Sequence, residues 1–229
     1  MDRKFLSLLA VILVLGFLSS CSSHPEQQIL NRYFSALQLK DSTTLSTMAL
    51  EPVSIEFKDW EIIKVGQEVI EPFKLAEMNK DELEKKKQLE DHVGITLDAR
   101  DAWDEAVFEG ERARTGAAKQ AAKRKAEELK AKYDEVLEGH KEMQRVYNEA
   151  KANAAKEEEI AAFSLGAGEM PTIRDFTGET YRKEVDVKAE GDSGVKNYRF
   201  FLSRYILKDE ATGIAHRGRW IIVKIESLG

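Results

Sequence analysis

The sequence predicts an α+β fold: two N-terminal helices on a four-stranded antiparallel curved sheet, interrupted by a long helical coiled-coil hairpin. Three observations carry this reading. Pro occurs only at 25, 52, 72 and 171, and the stretch between Pro72 and Pro171 is rich in Ala, Glu, Lys and Leu, the composition of long solvated helices. Aromatic and β-branched residues gather on either side of it. The flanks also change period, from helical spacing before Pro52 to strand alternation after it and again near the C-terminus. The expected segments are a leader over 1–20, a tether over 21–27, an α+β domain over 28–72 and 172–229, and a helical insertion over 73–171.

Residues 1–21 read MDRKFLSLLAVILVLGFLSSC. Arg3 and Lys4 open the segment, Phe5 to Leu18 is almost purely apolar, and small Ser19 and Ser20 precede Cys21, the three zones of a secretory signal peptide. The apolar run covers 14 residues. That is roughly 21 Å of helix against roughly 30 Å of bilayer hydrocarbon, too short to span comfortably. Leu18-Ser19-Ser20-Cys21 resembles the lipobox of bacterial lipoproteins. The resemblance implies cleavage before Cys21 and acylation of that cysteine, so that the bilayer becomes a partner through acyl chains. Two or three such chains anchor a protein almost permanently, whereas one is marginal. By resemblance to enterobacterial lipoproteins, Ser22 implies sorting to the periplasmic face of the outer membrane of a Gram-negative bacterium. Cysteine usage agrees: Cys21 is the chain's one Cys, so no internal disulfide can form, and acylation leaves no free thiol.

Loss of residues 1–20 removes Asp2, Arg3 and Lys4 and leaves 33 basic and 40 acidic side chains, a net charge near −7. Nucleic acid is therefore not an expected partner, because it wants a basic face.

In the first flank, Pro25-Glu26-Gln27-Gln28 is a helix start with Pro and acid in the first turn. Ile29, Tyr33, Phe34 and Leu37 then share one helical face. Asp41 and Ser42 cap a second short helix carrying Leu45, Met48 and Leu50. Val53, Ile55 and Phe57 alternate as a half-buried strand, and the alternation slips near Asp59, which predicts a bulge. In the second flank, Tyr181, Val185, Val187 and Ala189 alternate up to the turn Glu190–Gly194. Tyr198 to Leu207 is an aromatic-rich strand, Thr212-Gly213 marks a turn, and Trp220 to Ile225 closes the sheet.

This order of elements, with Tyr33-Phe34-Ser35-Ala36-Leu37 followed by Asp41 and Leu45, resembles the nuclear-transport-factor-2-like (cystatin-superfamily) cone. The resemblance implies a cavity in the cone. The family spans isomerases, cyclases, dehydratases and non-enzymatic binding modules, so the fold supplies no activity. The chain departs from the family by carrying some 90 residues between its first strand and the rest.

Within the insertion, Leu129, Tyr133, Val136, His140, Met143, Tyr147, Ala150 and Ala154 step by four and three, a coiled-coil seam. Ala118, Ala122 and Ala126 extend it. An earlier helix over about 80–114 is read with Leu83, Leu89, Val93, Leu97, Trp103 and Val107 inward, and Thr115-Gly116 as the reversal. One continuous helix is the alternative, with Gly110 and Gly116 tolerated at about 1 kcal/mol each. The hairpin is favoured because entry and exit must return to the same sheet. Few apolar positions in 75–168 remain once the seam is filled, so little is expected to bind the insertion to the sheet. The basic cluster Lys119, Lys123, Arg124 and Lys125 reads as solvated surface.

The four His, at 24, 92, 140 and 216, show no metal-ligand spacing with one another or with Cys. Glycine-rich phosphate loops, nucleophile elbows and zincin motifs are absent from the sequence. Neither metal nor cofactor is expected, and no catalytic residue is assigned. The two weak candidates are His216, near a strand start, and Asp59, which with Glu61 flanks Trp60, although alternation turns both carboxylates to solvent. Three functions stay open: a membrane-tethered interaction protein whose insertion meets another envelope component, a ligand-binding or enzymatic cone, and a spacer that self-associates through its coiled coil.

Overall fold

The structure is a computed structural model of the chain, and it describes residues 24–166 and 173–228. Cys21 and Ser22, on which the lipid anchor and its sorting rest, lie outside the described residues, as does the apolar run before them. The protein is α+β, with an antiparallel sheet and a long helical region. The elements in order are α1 (Pro25–Gln38), α2 (Ser42–Ser46), β1 (Asp59–Val65), β2 (Val69–Pro72), α3 (Leu75–Arg112), α4 (Gly116–Leu165), a 3-10 turn (Ile173–Asp175), β3 (Thr177–Gly191), β4 (Gly194–Lys208), β5 (Ala215–Arg217) and β6 (Ile221–Ser227). The sheet runs β1-β3-β4-β5, with β2 also paired to β3 and β6 also paired to β4. It has six strands where the sequence reading counts four. The two extra ones, β2 and β5, are 4 and 3 residues long, too short to show alternation. The chain divides into two compact units, one of Met1–Val69, Tyr181–Arg204 and Trp220–Gly229, the other of Ile70–Thr180 and Tyr205–Arg219.

The first unit is organised by α1. Its buried face presents Ile29, Leu30, Tyr33, Phe34 and Ala36 to Val185, Val187 and Ala189 of β3 and to Tyr198, Phe200 and Leu202 of β4. Phe34 sits at the centre of an aromatic cluster. Its ring stacks on Trp60 at 4.4 Å and meets Phe57 edge-on at 4.9 Å. Asp41 caps α2, accepting a hydrogen bond from the Thr44 amide at 3.0 Å, as the capping pattern predicts.

The segment Val53–Phe57 departs from expectation, because it is not a strand. Ile55 is buried and Phe57 half-buried, so the alternation reports burial at these two positions, while Val53 stays 37% exposed. The backbone is satisfied differently: the Tyr33 hydroxyl donates to Val53 O at 2.8 Å and accepts from Val53 N at 3.0 Å. A side chain does here what a neighbouring strand would do. The sheet edge begins at Asp59 instead, and the expected bulge falls between Ile62 and Lys64.

Burial pushes the Tyr33 phenol up to about 12, against the pull of its bond to Val53. A phenol ionises near 10 in an unfolded chain. The raised folded value means that the unfolded state releases its proton first, so the stabilisation is complete below about pH 10 and lost as pH rises towards 12. Tyr33→Phe should flatten the alkaline limb of an unfolding-midpoint-versus-pH curve; an unchanged limb would show that Tyr33 is not its source.

The second unit is a helical hairpin on a short base. Thr115 caps α4 by accepting from the Ala118 amide at 3.2 Å, which fixes the reversal at the place the sequence predicts. The helices run antiparallel, as ring pairs Trp103–Tyr133 at 5.6 Å and His92–His140 at 5.9 Å show, with Lys125 on Glu109 at 2.9 Å near the tip. Helix α4 ends on Gly166 in the left-handed conformation.

The base differs from expectation. Ala154, Ile160, Ala161 and Ser164 of α4 are buried, as are Phe73, Leu75, Ile173, Phe176, Tyr205 and Leu207. The Ser164 hydroxyl donates to Arg219 O at 2.7 Å and accepts from Tyr205 N at 3.3 Å, while Tyr205 donates its hydroxyl proton to Glu157 at 2.9 Å. Arg174 bridges both helices, to Glu158 at 2.7 Å and Glu82 at 2.8 Å. The lower turns of the hairpin are thus built into the strand segments of their own unit.

Candidate functional site

The hairpin is the first candidate. At 100° per residue, the inner face of α3 carries Glu82, Lys85, Leu89, His92, Thr96, Ala99, Trp103, Ala106 and Gly110, spaced alternately by three and four. Leu89 and Ala106 are buried there. Of the residues read as inward, Leu89 is buried and Trp103 is stacked on Tyr133, but Leu83, Val93, Leu97 and Val107 are exposed. The phase was misread because the real seam is polar and small, which is also why it stays thin. In consequence Leu83, Val93, Leu97, Val107 and Phe108 share one outer flank of α3, within a sector of about 120°. Phe108 and Leu97 are each 52% exposed, so the row faces solvent. Arg100, Asp101 and Asp104 interrupt it, and Arg112 lies over Phe108 at 4.4 Å.

Sequence spacing leaves the four His apart; folding brings two of them together. His92 and His140 stack across the seam, with Thr96 Oγ1 at 3.3 Å from His92 Nδ1, and His140 Nδ1 is buried without a hydrogen-bond partner among the described residues. No cluster of three metal-binding side chains occurs among the described residues.

The first unit holds a second candidate that sequence reasoning missed. Glu26, in the first turn of α1, is buried and meets Lys183 at 3.2 Å, and Lys183 also faces Glu68 at 3.7 Å. Burial opposes ionisation of Glu26, but hydrogen bonds from its own backbone amide, Lys183 and His24 outweigh it and hold the carboxyl below its usual range. Lys183 lies over the Trp220 ring at 5.7 Å. Arg204 lies over Tyr181 at 4.6 Å and Trp220 at 5.1 Å, its Nε buried without a hydrogen-bond partner among the described residues. The residues come from positions 26, 183, 204 and 220, so no local motif announces them. A groove of about 390 Å³ opens beside Glu26, lined by His24, Gln27, Gln28, Ile62 and Val65.

The two residues singled out from sequence belong to different units. Asp59 is exposed at the start of β1, where it accepts from the Trp60 amide at 2.8 Å and lines a polar groove with Glu61, Lys188 and Glu190. Lys188 is paired to Glu61 at 3.1 Å. His216 lies on β5 opposite Leu207, its ring stacked on Phe176 at 5.2 Å.

No family model matches the chain, and no curated protein or solved structure matches it either. The resemblances read from sequence therefore rest on the residues that carry them.

Proposed function

We propose that the chain is a membrane-anchored envelope lipoprotein that works as a non-enzymatic interaction module through its helical insertion. The anchor is Cys21, the sorting signal Ser22, and the location the periplasmic face of the outer membrane of a Gram-negative bacterium. The observation that carries the interaction reading is the exposed apolar row on α3. A helix that leaves Leu83, Val93, Leu97, Val107 and Phe108 in water, while its seam sets only Leu89 and Trp103 among Lys, His, Thr and Ala, has placed much of its apolar surface outside its own fold. The partner is another envelope component, with self-association of the coiled coil as the competing arrangement.

A second reading has a specific observation behind it. If the first unit is the cone of the nuclear-transport-factor-2-like family, the group Glu26, Lys183, Arg204, Tyr181 and Trp220 belongs to its concave face, and an arginine stacked on two rings, with its Nε buried and unpartnered among the described residues, suits a small anionic ligand or a catalytic role.

A photo-crosslinking side chain at Leu97, expressed in cells, should trap a discrete partner, whereas one at Ile95, on the opposite side of the same helix, should not. Purified protein should then sediment as a monomer if the partner is foreign, and as a dimer or higher if it is a second copy. Equal labelling from Leu97 and Ile95, or none from either, would contradict the assignment of this flank.

A further inference from the structure

We propose that the exposed apolar edge formed by Ile63, Val65 and Val69 is the face that beds against the lipid surface of the chain's own membrane. The inference deepens the lipoprotein reading and rests on the Cys21 tether.

Chain length makes the argument. Three peptide links separate Cys21 from His24, and at 3.8 Å each they reach at most about 11 Å. His24 lines a groove with Ile62 and Val65. A lipid anchor at Cys21 therefore holds this end of the unit within about 11 Å of the bilayer surface, and the β1 residues around His24 are the first to meet it.

Those residues are apolar where a sheet edge in water would be charged. Ile63 is 50%, Val65 43% and Val69 50% exposed. The bulge accounts for Ile63: pairing with β3 slips between Ile62 and Lys64, so Ile63 has no partner in the register while Ile62 packs against the core. All three side chains keep about half of their surface in water, and open apolar sheet edges are hazards unless something shields them.

Charge sets the depth. Glu61, Lys64 and Glu68 alternate with the apolar residues, so the edge suits the boundary between headgroups and acyl chains and not the hydrocarbon interior. No helix of the described residues is long and apolar enough to cross a membrane. A net charge near −7 after loss of residues 1–20 gives no general attraction to anionic lipid, which leaves apolar contact as the driving term.

The test uses the full-length lipidated chain in vesicles of phosphatidylethanolamine and phosphatidylglycerol. A nitroxide is placed in turn through Ile63→Cys, Val69→Cys and Val195→Cys; Val195 lies beyond the β3–β4 turn, about 20 Å along the strand from the residue opposite Val65. Labels at 63 and 69 should be several-fold more accessible to oxygen than to a water-soluble nickel chelate, with the order reversed at 195. Water-exposed labels at 63 and 69 in a protein shown to carry fatty acid at Cys21 would overturn the docking face alone. Labels at 63 already shielded before vesicles are added would mean that the protein or its own acyl chain covers the edge, and would overturn it too. If fatty acid fails to enter the wild type, or persists in Cys21→Ser, the tether falls and the docking face with it.

Discussion

Phe34→Ala should cost the first unit about 3–5 kcal/mol, the range for emptying a large aromatic site in a packed core. The side chain is 1% exposed and its ring lies within 6 Å of the ring centroids of Tyr33, Phe57, Trp60 and Phe200. Each aromatic pair adds about 0.5–1.5 kcal/mol beyond area burial. The loss also frees Trp60, whose ring stacks on Phe34 at an interplanar angle of 13°. Urea unfolding should show a lowered midpoint, and the native tryptophan emission should move to the red. Phe108→Ala is the control: an exposed ring on the hairpin should change stability by no more than about 0.5 kcal/mol. If the two substitutions cost the same, the cluster around Phe34 is not the core of its unit.

The second large effect is expected at Gly178, near the start of β3. Its φ is +140°, a conformation that L side chains rarely adopt, and a Cβ there would lie 2.2 Å from Ile206 O and 2.9 Å from Leu207 Cα. Both obstacles are backbone, so no rotamer change relieves them. Gly178 O also accepts from the Phe73 amide at 2.8 Å, tying the strand to the start of α3. Strain of about 1–3 kcal/mol and overpacking of similar size act together, so Gly178→Ala should cost about 3 kcal/mol or more. Gly116→Ala is the matched contrast. It lies in the first turn of α4 with nothing within 4 Å of a built Cβ, and should be neutral or gain up to about 1 kcal/mol from helix propensity. Thermal unfolding of the two variants separates these outcomes.

The sequence was most legible where one periodicity governs both burial and backbone. The α4 seam could be read directly because Leu129, Tyr133, Val136, Met143 and Tyr147 are apolar at steps of three and four. Strands β3 and β4 are 15 residues each, long enough for stretches of alternation to be seen. Helix α3 misled because its seam mixes Lys85, His92, Thr96 and Ala106 with Leu89 and Trp103, while Leu83, Val93, Leu97 and Val107 point outward. A hydrophobic pattern locates an apolar face, and here that face is not the buried one. The segment Val53–Phe57 misled for a different reason: burial alternated, but Tyr33 took the hydrogen bonds that would have made a strand. The base of the hairpin is underestimated from sequence because its grip joins distant segments: Ile160 and Ala161 are buried, as are Phe73, Ile173 and Leu207, and Ser164 bonds to Tyr205 and Arg219 far along the chain. The cluster around Arg204 joins four distant segments and leaves no local trace.

The central claim is that the hairpin beyond its base is the contact element. The most direct measurement is the mass of the detergent-extracted lipoprotein with and without that part. Replacing residues 96–137 with a short Gly/Ser turn keeps Leu89, His92, His140 and Ala154 and leaves the base intact; loop closure at that length costs little. The wild type should run well above the monomer mass in a mild-detergent extract. The truncated chain should stay in the membrane fraction, unfold with an unchanged midpoint for its first unit, and run as a monomer. A truncated chain that keeps the wild-type mass distribution, or a wild type that is itself monomeric, would contradict the claim.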